Sequence, residues 1–205
     1  VDTVEEALTH AREDGIRRLV LQPTHLMDGN EYMRVAETAA AWHSQFDQLV
    51  LGAPLLGNEN DDRAVMQIIA ADTQACDDGE TAICFMGHGS DAAANAIYSD
   101  FQQRLHRAAY RNYYIGTVEA DPTLEQLLAL VRTGGNYKRV LLQPLMVVAG
   151  DHAHHDMAGE DDESWKRTFE KAGYEVTCIV KGLGELEGIR NIYVSHVRNC
   201  IKQML

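Results

Sequence analysis

The sequence predicts an α/β protein built from two pseudo-symmetric domains, each a parallel sheet flanked by helices, with a cleft between them. Segments with apolar residues at helical spacing alternate with short apolar runs, which is the pattern of repeated βα units. Residues 18–29 match residues 139–150 at a constant offset of 121 positions, which indicates an internal repeat. A histidine-rich loop at 147–165 follows one apolar run. Because open α/β sheets bind ligands at the carboxyl ends of their strands, this loop is a candidate functional site.

Composition narrows the classes of function. The chain has 205 residues, 45% hydrophobic and 24% charged, which is enough to bury a core in one large or two small domains. Its formal net charge of −13 argues against a nucleic-acid surface, which needs clustered Lys and Arg, and favours cations as partners. The four cysteines show no C-x-x-C spacing, so neither a zinc knuckle nor a redox motif is indicated. No apolar run reaches the ~20 residues of a membrane span.

The first half opens with a helix that is expected to start at Asp2, because Glu5 three positions later completes a capping-box pattern. Gly15 ends this helix, and a short buried strand then runs up to Gln22 and Pro23. The remaining predicted elements of this half are a helix through residue 42, a strand at 48–52 and a helix at 58–71.

The second half continues the same alternation. Asp121 and Pro122 are expected to form the N-cap and first turn of a helix that ends at Gly134. The apolar run at 140–148 is predicted to be a buried strand that leads into Gly150. The other predicted elements are strands at 81–86, 113–118 and 175–180, and helices up to residue 107, around residue 165 and from residue 186.

The internal repeat suggests a domain boundary. An acidic link at 77–80 separates an N-terminal α/β domain, residues 1–76, from a C-terminal α/β domain, residues 77–205, that carries the metal-capable residues. The repeat sets Gly29 on Gly150 and Glu31 on His152. The second half has a strand-helix-strand segment at 81–119 before its matched helix, and the first half has no counterpart. We therefore expect that an N-terminal strand-helix-strand segment is missing from this chain.

Three metal-capable residues, His88, Glu119 and His152, each follow a predicted parallel strand. Because the carboxyl ends of parallel strands meet at one sheet edge, we expect these side chains to lie together and face the cleft. Two imidazoles and one carboxylate suit a borderline divalent ion such as Co²⁺, Fe²⁺, Ni²⁺ or Zn²⁺, and they leave coordination positions open. Each residue also has a simpler interpretation: a turn residue for His88, a solvated charge near a helix N-terminus for Glu119, and a surface residue for His152.

Several motifs carry a family resemblance. They are Phe-Met-Gly-His-Gly at 85–89, Gly-Thr-Val-Glu at 116–119, Pro-Leu-Met-Val-Val-Ala-Gly-Asp-His-Ala at 144–153, Asp-Met-Ala-Gly at 156–159, Ser-Trp-Lys at 164–166 and His-x-x-x-Gly-x-Glu-Tyr at 25–32. Together they resemble the CbiK-type anaerobic cobaltochelatases, which are class II chelatases. The match covers both halves over nearly the whole chain, but the family's opening strand with its Phe-Gly-Thr-Ser-like turn is missing.

The resemblance implies a lyase-class metal chelatase in which two similar α/β domains enclose a tetrapyrrole cleft. Such an enzyme inserts its substrate metal, Co²⁺, into sirohydrochlorin on the way to cobalamin (vitamin B12), without ATP or an organic cofactor. The family's metal site maps onto His88, Glu119 and His152, with His88 and Glu119 as the catalytic residues. The candidate substrate-binding residues are His25, Gly89, Gly150 and Asp151, and His25 is equally a candidate haem ligand.

Chemical roles can be assigned to these residues. Metal insertion requires the loss of two pyrrole N–H protons, and a neutral imidazole, with an ordinary pKa of about 6.5, is suited to accept one. We assign His88 this role, with metal contact as its second interpretation. Glu119 would hold the cation and help to carry protons away, and His152 would be the other nitrogen ligand. A ligating histidine usually donates its second N–H to an acceptor, for which Asp151 and Asp156 are the candidates.

Several expectations remain open on the sequence alone. His154 and His155 are interpreted as solvated neighbours, and His196 as a hydrogen-bonded core histidine. The alternatives to a cobaltochelatase are a related chelatase for Fe²⁺ or Ni²⁺ and a non-catalytic carrier of a tetrapyrrole or a metal. The expected partners are a tetrapyrrole and a divalent metal, without nucleic acid, and the chain is compatible with a homo-oligomer. The cytoplasm is the expected compartment, with the periplasm as the alternative because the N-terminus is incomplete.

Overall fold

The protein is described from a computed structural model that covers residues 1–90 and 93–205. Among these residues, no helix combines the length and the apolar character needed to cross a bilayer. The helices are α1 (Val4–Glu13), α2 (Asn30–Trp42), α3 (Glu59–Thr73), α4 (Ala96–Arg107), α5 (Leu124–Gly134), α6 (Trp165–Lys171) and α7 (Glu187–Gln203). The strands are β1 (Arg18–Leu21), β2 (Gln48–Leu51), β3 (Thr81–Gly87), β4 (Tyr113–Thr117), β5 (Arg139–Pro144) and β6 (Glu175–Cys178).

The strands form two parallel sheets. One contains β1 and β2, and the other has the order β4-β3-β5-β6. The four-stranded sheet is covered on one face by an apolar cluster that includes residues of α3, α4 and α7, and on the other by a cluster that includes residues of α5 and α6. A smaller cluster joins α1 and α2 to β2. The predicted architecture of parallel sheets flanked by helices is confirmed.

Strand β5 is shorter than the apolar run predicts. The predicted strand at 140–148 ends at Pro144, and Val148 is 72% exposed. The backbone N–H of Leu145 still donates to the carbonyl of Met86 at 2.8 Å, but the next two residues leave the sheet. Their carbonyls accept instead from the backbone N–H groups of the short 3₁₀ turn Leu183–Glu185. Since proline has no N–H to donate to a ladder, Pro144 is a natural end for the strand.

Two helices begin later than predicted. The N-cap of α1 is Thr3 rather than Asp2, and its side chain accepts the N–H of Glu6 while the Glu6 carboxylate accepts the N–H of Thr3. Helix α5 begins in the same way, with Thr123 rather than Asp121 as its N-cap. At each start, a reciprocal pair of side chains satisfies two backbone N–H groups at once. Both caps open the matched segments of the internal repeat.

The order of elements follows the repeat, because α1-β1-α2-β2-α3 corresponds to α5-β5-α6-β6-α7. The last helix of each half contacts the other half. Buried residues of α3 join the apolar cluster on the four-stranded sheet, and α7 donates from Tyr193 to the carbonyl of His25 at 3.0 Å. The domain boundary at residues 76 and 77 therefore remains a prediction, as does the superposition of the halves.

An ion pair between a buried aspartate and a partly exposed arginine joins α3 to α4 and gives a test of this packing. Asp62 is 1% exposed, and its carboxylate accepts from Arg104 at 2.6 Å and from the N–H of Gly57 at 3.0 Å. Arg104→Ala would leave a buried carboxylate without its cation, so we expect the free energy of unfolding to fall by about 3 kcal/mol. Urea denaturation measures this change. Arg107→Ala, an exposed change on the same helix, is the control, and an equal effect of both substitutions would contradict the expectation.

Candidate metal centre

Three neighbouring strands bring three metal-capable side chains to one edge of the four-stranded sheet. His88 follows β3, Glu119 lies just beyond β4, and His152 lies in the loop after β5. One ring nitrogen of each histidine and one carboxylate oxygen of Glu119 all lie within 4.8 Å of one another. Gathered in this way, the three side chains can reach a single divalent ion.

The two imidazole rings are held edge to face. The ring centroids of His88 and His152 lie 4.9 Å apart at an interplanar angle of 80°. Nδ1 of His88 lies 3.1 Å from the carbonyl oxygen of Gly89 and 3.6 Å from a carboxylate oxygen of Glu119. When Nδ1 donates to that carbonyl, the neutral ring carries its lone pair on Nε2. His88 and Glu119 are about half exposed, so solvent and ligands can reach both.

His152 is oriented by its own turn. A short π-helical segment, Ala153–Met157, follows it, and this turn places Asp156 four residues later on the same side. Nδ1 of His152 lies 2.5 Å from a carboxylate oxygen of Asp156. A carboxylate only accepts, so Nδ1 donates and Nε2 keeps its lone pair free for a metal. Of the two acceptors predicted from the sequence, Asp156 makes this hydrogen bond.

The loops that carry His88 and Glu119 continue the pairing of β3 with β4. The N–H of Val118 donates to the carbonyl of Gly87 at 3.1 Å, and the N–H of Glu119 donates to the carbonyl of His88 at 2.9 Å. Gly89 has a φ of +93°, and a Cβ at this position would lie 2.9 Å from the backbone nitrogen of Ala120. Only glycine therefore fits this close approach without strain.

A cleft of about 650 Å³ lies beside the three-residue cluster. Its walls come from both halves of the chain, as the internal repeat predicts. The first half supplies Thr24, His25, Leu26, Met27, Gly29, Asn30, Glu31 and Tyr32, and the second supplies His88, Gly89, Ser90, Tyr98, Glu119, Met146 and Val147.

The candidate substrate-binding residues divide into two groups. His25 and Gly89 line the cleft, whereas Gly150 and Asp151 are exposed residues before the π-helical turn and lie outside the lining. The ring of His25 meets Tyr32 edge on at 6.3 Å, and its Nδ1 is buried without a hydrogen-bond partner among the described residues. The first half of the chain thus contributes one wall of the cleft, and His25 lies on that wall.

The other histidines are not members of the three-residue cluster. His154 and His155 are exposed on the π-helical turn, in line with their interpretation as solvated neighbours. His196 is 8% exposed, and its ring nitrogens lie 3.1 Å from the carbonyl of Ala53 and 2.7 Å from the carboxylate of Asp61. It is the hydrogen-bonded core histidine that its position on the apolar face of α7 indicates.

One residue that the sequence reasoning missed is Tyr98. It lies in the first turn of α4, is 2% exposed and lines the cleft. Its ring fills the space beside Gly87, where a Cβ would lie 2.3 Å from the ring, and its hydroxyl accepts the N–H of Gly89 at 3.4 Å. Burial raises the pKa of Tyr98, so its hydroxyl stays protonated. Its place in the helix after His88 was the one available sequence signal.

Comparisons with known proteins agree on one family. The family model described as cobalt chelatase (CbiK) matches residues 1–202. The chain is 34% identical over 203 residues to a sirohydrochlorin cobaltochelatase of Salmonella typhimurium, which covers 98% of this chain and 75% of that protein. It is 30% identical over 205 residues to sirohydrochlorin cobaltochelatase CbiKC of Nitratidesulfovibrio vulgaris, which covers 99% of this chain and 72% of that protein.

Solved structures share the fold at low sequence identity. SirB from Bacillus subtilis with Fe³⁺ has a TM-score of 0.68 at 12% identity, over 97% of this chain and 77% of that one. The sirohydrochlorin chelatase SirB from Bacillus subtilis subspecies spizizenii, in complex with cobalt, has a TM-score of 0.58 at 14% identity, over 97% of this chain and 76% of that one. With a family match over nearly its whole length and a 34% identical relative, the chain belongs to the CbiK family of cobalt chelatases.

Proposed function

We propose that this protein is a sirohydrochlorin cobaltochelatase, a lyase that inserts Co²⁺ into sirohydrochlorin in anaerobic cobalamin biosynthesis. The observation that carries the proposal is the cluster of two imidazoles and one carboxylate within 4.8 Å at the edge of a cleft of about 650 Å³. The names of the relatives from Salmonella typhimurium and Nitratidesulfovibrio vulgaris support the same substrate and metal. The four cysteines are all free, which fits the reducing cytoplasm.

The donor set suits the metal substrate. Imidazole nitrogen and carboxylate oxygen together favour borderline divalent ions of the first transition row, of which Co²⁺ is one. His152 offers Nε2, because Asp156 holds its Nδ1–H, and Glu119 offers a negative oxygen that offsets part of the metal charge. Glu119 and His152 together leave several coordination positions open, so the pyrrole nitrogens can replace bound water while the ion is still held.

His88 acts as the general base that removes a pyrrole proton. Two N–H bonds break as Co²⁺ bonds to the tetrapyrrole nitrogens, so two protons must leave for each metal inserted. His88 lines the cleft, and Nε2 of its neutral ring can accept one of them. Glu119, whose carboxylate lies 3.6 Å from Nδ1 of His88, is placed to stabilise the resulting imidazolium and to pass protons to solvent.

The opposite wall of the cleft suits a flat tetrapyrrole. Leu26 and Met27 from the first half face the same cavity as Met146 and Val147 from the second, so apolar surface is available on two sides of the ligand. We propose that His25 and Gly89 contact the substrate at the cleft, and that Gly150 and Asp151 contact it at the outer edge beside His152.

The test is catalytic turnover. Purified protein would be mixed with an excess of sirohydrochlorin and Co²⁺, and metallation would be followed by the change in visible absorption, with the rate in the absence of protein subtracted. We expect many equivalents of product per protein molecule. A single stoichiometric equivalent would instead identify a carrier. Parallel reactions with Fe²⁺ and Ni²⁺ would reveal the metal preference, and a higher kcat/KM for either ion would contradict the assignment of cobalt.

A further inference from the structure

Asn95 lies just before α4 and connects the two loops that carry His88 and Glu119. Its Oδ1 accepts the N–H of Ser90 at 3.0 Å, and its Nδ2 donates to the carbonyl of Asp121 at 2.7 Å. Ser90 lies two positions after His88, and Asp121 lies two positions after Glu119. The Asn95 side chain therefore sets the distance between the outer parts of the two loops.

The side chain of Asn95 binds the two loops rather than its own helix. Asn95 is the last residue of a 3₁₀ turn, Ala93–Asn95, that runs directly into α4 with helical backbone angles, and its side chain makes no cap on that helix. Both ends of its carboxamide bind the loops instead. The backbone already joins the inner parts of the same loops, where the N–H of Glu119 donates to the carbonyl of His88 at 2.9 Å. Asn95 adds a second connection between the outer parts of the loops, at Ser90 and Asp121, so the two loops are joined at two points.

Tyr98, three residues later on the same face of α4, supports this arrangement. Its hydroxyl accepts the N–H of Gly89, the residue between His88 and Ser90. Asn95 and Tyr98 thus hold two successive N–H groups of the loop that follows β3. Asn95 does not line the cleft and is not part of the metal cluster, so any effect it has on metal binding is indirect.

We propose that Asn95 is a positioning residue that fixes the spacing between His88 and Glu119 and thereby sets the affinity of the site for the divalent metal substrate. The inference rests on the proposed function, because it takes these residues to bind the metal. A carboxamide suits the task because it accepts and donates at the same time, whereas an aspartate of the same size only accepts.

The experiment compares Asn95→Ala with Asn112→Ala. Asn112 is a matched control, because it is also half-buried and donates to Asp77 at 2.8 Å and to the carbonyl of Thr81 at 3.1 Å, at the opposite end of β3 and β4. Calorimetric titration with Co²⁺ alone would give the affinity, and steady-state insertion would give KM for Co²⁺ and kcat. Partners that orient metal ligands typically contribute 10–100-fold to affinity, so we expect a loss of about tenfold for Asn95→Ala.

KM for Co²⁺ should rise in parallel with this loss, while kcat at saturating Co²⁺ changes much less. Asn112→Ala should lower Tm to a similar extent but leave the Co²⁺ affinity unchanged. Should Asn95→Ala not fold, Asn95→Asp gives the same answer, because it keeps the acceptor for Ser90 and loses the donor to Asp121. Equal effects of Asn95→Ala and Asn112→Ala on Co²⁺ affinity would reduce Asn95 to a structural role and overturn the inference.

A parallel titration of His152→Ala separates the two proposals. If His152→Ala loses Co²⁺ affinity and Asn95→Ala keeps it, the positioning role is wrong and the proposed metal site stands. If neither substitution changes the affinity, the metal site itself is wrong, and the role of Asn95 fails with it.

Discussion

His88→Ala is expected to lower kcat for Co²⁺ insertion by about 10²–10⁴-fold, the usual effect of losing a general base. The reason is geometric. His88 lines the cleft, and its ring presents Nε2 to a ligand when Nδ1 donates to the carbonyl of Gly89 at 3.1 Å. Without the imidazole, a pyrrole proton has to leave to water. Steady-state insertion at saturating sirohydrochlorin, with Co²⁺ varied over a wide range, measures the loss.

Cobalt concentration distinguishes a base from a ligand. Proton transfer does not depend on how fully the metal site is occupied, so excess Co²⁺ should not restore the kcat of His88→Ala. His155→Ala is the matched control, because it removes an exposed imidazole near the same cluster and should retain wild-type kcat. If excess Co²⁺ rescues His88→Ala as fully as a variant that lacks a metal ligand, the base role is wrong and His88 is an ordinary ligand.

The gathering of His88, Glu119 and His152 could be predicted because it follows from topology alone. Each residue comes after a parallel strand, and neighbouring parallel strands end at the same edge of a sheet. Apolar runs predicted β3, β4 and β5, and the alternation of strands and helices predicted that these strands are parallel. The internal repeat likewise aligns the loop of His25 with the loop of His152, and His25 lines the cleft from the first half of the chain.

Features that depend on tertiary contacts could not be predicted in this way. The apolar run through Val148 looks continuous, but the carbonyls after Pro144 bond to the turn at Leu183–Glu185, which is distant in sequence. The roles of Asn95 and Tyr98 likewise depend on where α4 packs against the loops. The sequence predicts a helix that ends at residue 107 and gives no sign of the groups that these two side chains bind.

The cross-packing of the last helices is a further example. An amphipathic pattern in α3 and α7 indicates that each helix buries one face, but it does not say against which half. In the structure α3 packs its apolar face on the four-stranded sheet, while His196 of α7 lies 2.7 Å from Asp61 at the start of α3. The two halves are therefore joined by helices that the repeat alone would assign to separate domains.

His152→Ala is expected to weaken Co²⁺ binding by about 100-fold or more, since even partners that only orient a ligand contribute 10–100-fold. The loss of this ligand lowers the fraction of protein molecules that have Co²⁺ bound, and it does not affect the proton-transfer step. Added Co²⁺ should therefore restore part of the insertion rate, in contrast to His88→Ala. Calorimetric titration with Co²⁺ gives the change in Kd, and insertion rates over a range of Co²⁺ concentrations give the rise in KM.

The neighbouring residues make this test specific. His154→Ala removes an imidazole two positions away that lies outside the cluster, so its Co²⁺ affinity should match that of the unmodified protein. His152 owes its free Nε2 to the hydrogen bond between its Nδ1 and Asp156, which leaves a single nitrogen for the metal. Replacing that one ligand leaves the Glu119 carboxylate in place beside the ion, which is why binding should weaken rather than disappear. A Kd for His152→Ala equal to that of His154→Ala would show that the metal binds elsewhere.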